Sequence, residues 1–560
     1  MISSYSPLAS VPSALPTLSL GTAQHPITLG GKTLTFTFPS LTLSTITNDL
    51  TFGLSHFLVA LGLVSVVGLA CLAKRMHRIR NDTPLRDIPG PWLASCSPLW
   101  RFWYAVCKSN YHHDLTNLHR KYGNIVRIAP NEVSVWDPEY VSEIYSHGEN
   151  VYPKCDMYDI ALPNGFFNLA VERDIKTHTL GRRAIAKDYS MTAILKSEKY
   201  FDAVIKDFIT ALDKNFAQTG KKCNFTVWSE YFTYDMITDI VFGKSFGFCN
   251  AARDVEGGLR DLRQMLNLSP FLSYLPWIWP LTQLEIIKKT GMKHYARCMV
   301  REIQKRVREG NPTGRQDLLQ GLMDARYQDG HALPLGEITN HAYIFVLAAP
   351  DTASVALRNI IINLCRNRDV YQQLMDSLLA LNTANPTWKD LQNIPLLTAV
   401  VKETLRLHPP AGFSLPRAVP AGGRTVCGKF LPENTTIGMS AWSVHANTEY
   451  WGEDTLEFKP ERWMDPNQMY KLERHSLIFG QGSRQCLGKH IAMINLVKVT
   501  AQILLNFDFG LLNEKNIKEV FLLLVVVDGM DVWFKRRAGG PLDDTIGSES
   551  EKPAAVTTGA

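Results

Sequence analysis

The stretch Phe479–Gly488, FGQGSRQCLG, carries one cysteine, Cys486, in a loop punctuated by Gly480, Gly482 and Gly488. Residues without a Cβ let the backbone turn sharply and approach a flat ligand closely. The run IAMINLVKVTAQILL that follows reads as a helix, and the partial positive charge at a helix N-terminus favours an anionic sulfur beside it. Backbone N–H groups of such a loop are further donors to a thiolate. Arg484, two residues before the cysteine, suits a second anion. An inert thiol buried near a helix start looks the same in isolation, so the rest of the chain decides between the two.

Composition narrows the choice. The 560 residues are 45% apolar and 20% charged, which suits a large folded core and excludes disorder for the bulk of the chain. The net charge of +6 is mild for this length, and no dense Lys/Arg run with interleaved aromatics points to nucleic acid. Ten cysteines are scattered from Cys71 to Cys486 without a C-x-x-C pair. That pattern argues against a zinc site or disulfide framework and for a reducing compartment.

The loop pattern F-x-x-G-x-R-x-C-x-G resembles the heme-binding signature of the cytochrome P450 superfamily at every fixed position. The resemblance implies that Cys486 is the axial thiolate of heme b, that Arg484 pairs with a heme propionate and that Phe479 packs beside the ligand loop. A thiolate ligand pushes electron density onto iron and favours O–O cleavage.

Residues 1–50 are rich in Ser, Thr, Leu and Pro with Lys32 as their one Lys or Arg, and read as a short, weakly ordered segment. Leu50 to Ala73 carries no formal charge, and about 20 such residues span a bilayer. Lys74, Arg75, Arg78 and Arg80 follow at once, and by the positive-inside rule that flank faces the cytosol. Two prolines in DIPGPW then suggest a rigid hinge. The expected organisation is a luminal segment (1–50), a single transmembrane helix (51–73), a basic and proline-rich hinge (74–92), a catalytic domain (93–537) and a disordered tail (538–560).

Tyr111 to Tyr122 reads as a helix, and NIVRIAP with EVSVWDP as a strand pair turning at Pro130-Asn131. His178 and Arg182, four apart, share a helix face; the resemblance implies that both donate to a heme propionate, as Arg417 does. The segment SPFLSYLPWIWP is expected to interrupt helical patterns, and by resemblance it covers a substrate entrance or touches the membrane.

A continuous helical pattern runs from about Glu337 to Asn367, long enough at about 1.5 Å per residue to cross a domain. Inside it, Ala348-Ala349-Pro350-Asp351-Thr352 is similar to the superfamily's A-G-x-D-T oxygen-binding motif, with Ala349 in place of glycine. Pro350 removes the hydrogen bond to the carbonyl of residue 346 and kinks a helix. Asp351 and Thr352 then either recap a broken turn or, as the resemblance implies, deliver protons during oxygen activation.

Leu391 to Leu407 reads as a helix stopped by His408-Pro409-Pro410. Glu403 and Arg406 within it share a face, and the E-x-x-R pattern is tied in the superfamily to an arginine further on, here Arg462 of Pro460-Glu461-Arg462-Trp463. These three are assigned a structural role. SLPRAVP and TTIGMSAWSVHAN read as strands, and residues 512–536 as a final hairpin.

The resemblance spans roughly residues 84–536. It implies a mainly α fold with a small β-sheet domain and monooxygenation of an apolar small-molecule substrate at the endoplasmic reticulum membrane, with the catalytic domain cytosolic. No G-x-G-x-x-G strand-turn-helix or iron–sulfur spacing occurs. The expected electron partner is therefore a separate NADPH-cytochrome P450 reductase, with cytochrome b5 as an optional second donor. KCDMYD, HTLGRR and KETLRLHPPAGFSLPRAVP are similar to the filamentous-fungal pisatin demethylase-like group, which implies secondary metabolism. A reductase-independent heme-thiolate isomerase or dehydratase, and a non-catalytic heme protein, are the rival classes. Intact Asp351 and Thr352 speak against the first.

Overall fold

The computed structural model describes residues 25–29, 32–36, 43–148, 151–161, 168–275 and 293–542. The chain divides into two compact units, Met1–Arg78 and Ile79–Ala560.

In the first unit, the stretch expected to be weakly ordered contains an antiparallel pair, β1 (His25–Leu29) and β2 (Lys32–Phe36). Thr- and Leu-rich runs on either side of Gly30-Gly31 carry a hairpin signal in the sequence. Helix α1 (Leu43–Asn81) extends beyond the expected 51–73 at both ends. At its C-terminal end Lys74 to Arg80 are helical and not hinge, since cations are favoured where helix carbonyls are left open. The apolar side chains from Phe57 to Leu72 are exposed. A helix that is apolar all round, with no described residue covering this stretch, is a candidate membrane span.

In the second unit, α2 (Tyr111–Tyr122), β3 (Ile125–Ala129) and β4 (Glu132–Val135) fall where the sequence places them. They belong to a four-stranded sheet in the order β3-β4-β9-β6, with β6 at Arg417–Ala418 and β9 at Thr436–Gly438; β4 pairs with β9 in parallel and the other pairs are antiparallel. Hairpin β7 (Arg424–Val426) and β8 (Lys429–Leu431) lies between them in sequence. The expected strand through Ala441–Val444 is a short helix. The fully buried Arg127 anchors the sheet to the start of this unit, donating to the carbonyls of Arg80 at 2.9 Å, Ile79 at 3.2 Å and Pro130 at 2.7 Å.

The helical part is built around α4 (Phe225–Phe242) and α5 (Leu335–Arg366), which pack along each other. The helix α3 (Ile175–Ile185) lies earlier in sequence, capped by Asp174, which accepts from the Thr177 amide. All but one of the side chains of α4 are buried, so it is apolar or satisfied all round. The helix α5 is 32 residues long, and from Ser354 to Leu364 every residue is buried. Its tyrosine-to-alanine middle is different, as shown below.

The helix read over Leu391–Leu407 is two pieces, Trp388–Leu391 and α6 (Pro395–Leu407), because Pro395 has no N–H to continue a helix but is well placed at its first turn. Part of the segment expected to interrupt helices is itself helical, with Pro270 inside Gly258–Tyr274; residues 276–280 of it lie outside the described residues. After α7 (Lys489–Asn506), β10 (Phe507–Leu511) pairs with β13 (Asp531–Arg536), which also pairs with β5 (Cys223–Asn224). The expected terminal hairpin is β11 (Lys518–Leu522) with β12 (Leu524–Asp528). Of the expected tail, Leu542 packs on the main core, and residues 543–560 lie outside the described residues.

Candidate active site

The Cys486 loop closes on itself: the Cys486 amide donates to the Phe479 carbonyl at 2.8 Å. Gly480 and Gly482 have φ of +65° and +67°, and a Cβ on Gly482 would stand 1.9 Å from the Tyr145 carbonyl oxygen, so only glycine lets this loop lie against residue 145. Gly488 caps α7, and the Gly488 and Lys489 amides donate towards the Cys486 sulfur. Burial pushes the thiol up, while these amides and the charge of Arg182 pull it down. Cys486 nonetheless keeps accessible surface, so its sulfur can be reached by a ligand. Phe479 packs against the main core from beside the loop.

Cations converge near this loop from four parts of the chain. Arg182 on α3 donates to the Gln485 carbonyl at 2.8 Å, tying α3 to the residue next to Cys486. Arg484 donates to the carbonyls of Glu172 and Arg173. Arg417 on β6 donates to the Pro416 carbonyl at 2.9 Å and approaches the Tyr158 hydroxyl at 3.4 Å. Lys154, bridged to Arg417 through the backbone, donates to the carbonyls of Leu169 and Ala170. His178 is pushed down to about 3 by burial and then by the charges of Arg484, Lys154, Arg182 and Arg417. Burial and Arg417 bring Arg484 down to about 10, and burial with Arg484 and Arg417 holds Lys154 well below its ordinary value. Among the described residues none of these five forms a salt bridge with a carboxylate.

The four cations among them, mutually repelling and partly desolvated, suit an anionic ligand. With the accessible sulfur and the glycine loop the set fits heme. No motif in the sequence points to Lys154; its signal is a lone lysine in the otherwise uncharged run VYPKC.

The middle of α5 supplies a second surface. Phe345, Ala348, Ala349 and Thr352 lie at helical spacings of three and four, and all retain accessible surface while their neighbours Val346, Pro350 and Asp351 are buried. Thr352 donates its hydroxyl to the carbonyls of Ala348 at 3.0 Å and Ala349 at 3.1 Å, beside the proline. Asp351 points the other way. Its Oδ2 has no hydrogen-bond partner, and burial, with the charge of Glu230, pushes its carboxyl up to about 7 against the pull of Arg358 and Arg263.

Those charges form a chain. The fully buried Arg358 donates to Glu230 at 2.8 Å and to the carbonyls of Thr226 and Val527. Glu230 also accepts from Arg263 at 2.6 Å, and Arg263 reaches Asp528 at 3.2 Å; the last two are both substantially exposed. The network links the surroundings of Asp351 to solvent, and its members lie too far apart in sequence for any local pattern to reveal it.

Glu403, Arg406 and Arg462 come together out of solvent. The Glu403 carboxylate accepts from Arg406 twice at 2.8 Å, from Arg462 at 2.9 Å, from the Trp463 indole at 2.8 Å and from the Lys459 amide at 3.1 Å. Arg406 directs its remaining donors to the carbonyls of His445, Thr455 and Glu457.

A mainly helical fold, a desolvated thiol in a glycine loop and a cluster of cations beside it suit a heme-thiolate oxidoreductase. The chain belongs to the cytochrome P450 family: the family model described as Cytochrome P450 matches residues 94–528. It is 32% identical to a cytochrome P450 monooxygenase of Aspergillus terreus, over 77% of this chain and 91% of the relative. It is 32% identical to cytochrome P450 monooxygenase pkfB of Emericella nidulans, over 85% and 97%, and 31% identical to cytochrome P450 monooxygenase gsfF of Penicillium aethiopicum, over 82% and 94%. Membership makes the chain a monooxygenase with heme b, its iron held by a cysteine thiolate.

Proposed function

We propose that this protein is a membrane-anchored monooxygenase that places one atom of dioxygen in an unactivated C–H bond of an apolar small molecule and releases the other as water. The two electrons come from NADPH through a separate flavoprotein, NADPH-cytochrome P450 reductase, with cytochrome b5 as an optional second donor. The pathway class is fungal secondary metabolism. The anchor is the apolar part of α1, and the basic flank from Lys74 to Arg80 supports an orientation with the catalytic domain on the cytosolic side of the endoplasmic reticulum. The organisation follows as luminal segment, spanning helix, hinge, catalytic domain and tail, with the hinge shortened to the residues after Asn81.

Heme bound here supplies the reductive activation of dioxygen. Cys486 holds the iron as thiolate, steadied by the Gly488 and Lys489 amides; Phe479 packs beside it. Arg182, Arg417 and Arg484, joined by Lys154, would neutralise the propionates, and His178 would donate a hydrogen bond to one of them. Thr352 donates a proton from the open face of α5, and Asp351 resupplies it from the side joined to solvent by Arg358, Glu230 and Arg263. Glu403, Arg406 and Arg462 brace the fold behind the loop.

The observation that carries the substrate class is the accessible apolar stripe of Phe345, Ala348 and Ala349 next to Thr352, on the turns just before the wholly buried run from Ser354 to Leu364. Two alanines there leave room, and the phenylalanine supplies an apolar wall. The test is reconstitution of the full-length protein with the reductase, NADPH and isotopically labelled dioxygen, against extracts of a strain lacking the gene. Product carrying one labelled oxygen supports the reading. Conversion that proceeds without NADPH would move the protein to the isomerase or dehydratase class.

A further inference from the structure

Away from the Cys486 loop, the described residues bring together a second set of metal-ligating side chains. His112 and His113 stand in the first turn of α2, and Glu519 on β11. Their ligand atoms all lie within 4.8 Å of one another. Both imidazoles address the same oxygen, Glu519 Oε2: His113 Nε2 is 3.2 Å from it and His112 Nε2 3.7 Å. The other oxygen, Oε1, is held by His408 Nδ1 at 3.2 Å, at the C-terminal end of α6.

The arrangement is poorly explained as hydrogen bonding alone. His112 is fully buried, and neither of its ring nitrogens has a hydrogen-bond partner, a costly state for a polar group enclosed by Trp442 and Phe521. Zinc binds histidine nitrogen and carboxylate oxygen at about 2.0–2.2 Å, so neighbouring donors of a tetrahedral site stand about 3.4 Å apart. The two histidine–carboxylate separations bracket that value. The side chains of His113 and Glu519 are 47% and 26% exposed, which leaves a solvent-facing side for entry and for a water ligand.

We propose that His112, His113 and Glu519 form a binding site for a divalent transition-metal ion of the zinc class, with His408 orienting the carboxylate through its second oxygen. A metal there fastens α2 to the β11–β12 hairpin, whose backbone is already engaged by Ser109, Pro410 and Gly412. Its role is to staple the C-terminal hairpin to the sheet-bearing part of the unit, independently of heme.

The test uses the full-length, heme-loaded protein in detergent, stripped with EDTA, back-titrated with zinc chloride, desalted and assayed for zinc and heme. The wild type is expected to retain about one zinc per heme more than His113→Ala or Glu519→Gln, with the reduced carbon monoxide spectrum of both variants unchanged. His408→Ala is expected to keep the site at about 10–100-fold weaker affinity. A readout free of variants is diethylpyrocarbonate modification of His113 in the wild type, which zinc should block. Equal zinc in wild type and folded variants, or no zinc-dependent protection of His113, overturns the assignment.

Discussion

At the scale of single residues, Asp351 has the property that a proton donor needs. Its carboxyl is raised from the ordinary 3.8 to about 7, first by burial and then by Glu230, so it still holds a proton near neutral pH. The sign follows from that shift. The folded state favours the protonated acid, so the contribution to stability is fully present below the ordinary value and is lost as pH rises through about 7. Product formed per NADPH should hold steady at lower pH and fall above about 7, with hydrogen peroxide rising in step, and Asp351→Asn should flatten that profile. Thr352→Ala should leave the thiolate spectrum intact while lowering product per NADPH and raising peroxide; unchanged coupling in both variants would show that the pair only caps the turn beside Pro350. The sequence displayed Asp351, Thr352 and Cys486 because each sits in a short local pattern. Glu230, Arg263 and Arg358, which set the electrostatics of Asp351, are brought together only by the packing of α4 against α5 and by the C-terminal strands.

At the scale of elements, Glu403 and the two arginines join α6 to the turn at Pro460–Trp463. The pair Glu403–Arg406, which sequence spacing alone would class as a weak surface salt bridge, is fully buried, and every group in it is satisfied. Arg406→Ala leaves the carboxylate with one charged partner and opens the carbonyls of His445 and Thr455. Losing one partner of a buried pair costs about 3–5 kcal/mol. Thermal unfolding at a markedly lower temperature, with poor heme retention, is the expected outcome; an unchanged melting temperature would mean that solvent reaches this site. The misread boundaries have local causes. Pro395 starts a helix in place of lying inside one, the basic run after Ala73 ends a helix in place of leaving it, and Ala441–Val444 is too short for periodicity to tell helix from strand.

At the scale of the whole molecule, the division between Arg78 and Ile79 puts two carbonyls of the helix end in the catalytic unit, where they accept from the buried Arg127. A chain beginning at Ile79 should come away from membranes without strong detergent, apart from residual peripheral association, and should bind heme with wild-type stability. A chain beginning at Thr83 loses the Arg80 and Ile79 acceptors and should be less stable by about 1–3 kcal/mol, measured by thermal unfolding of the two side by side. Integral membrane behaviour of either would contradict a single anchor in α1. The apolar run of the candidate span is legible from composition, whereas the bonds from Arg127 to the carbonyls of Arg80 and Ile79 are not, since they join residues 47 and 48 positions apart.

Thiolate ligation by Cys486 is tested most directly by the spectrum of the reduced carbon monoxide complex, recorded for the wild type and for Cys486→Ala expressed and loaded with heme in parallel. The wild type should show the strongly red-shifted band that a thiolate ligand produces, and Cys486→Ala should lose it entirely. A red-shifted band that survives in Cys486→Ala, or one absent from the heme-loaded wild type, would contradict it.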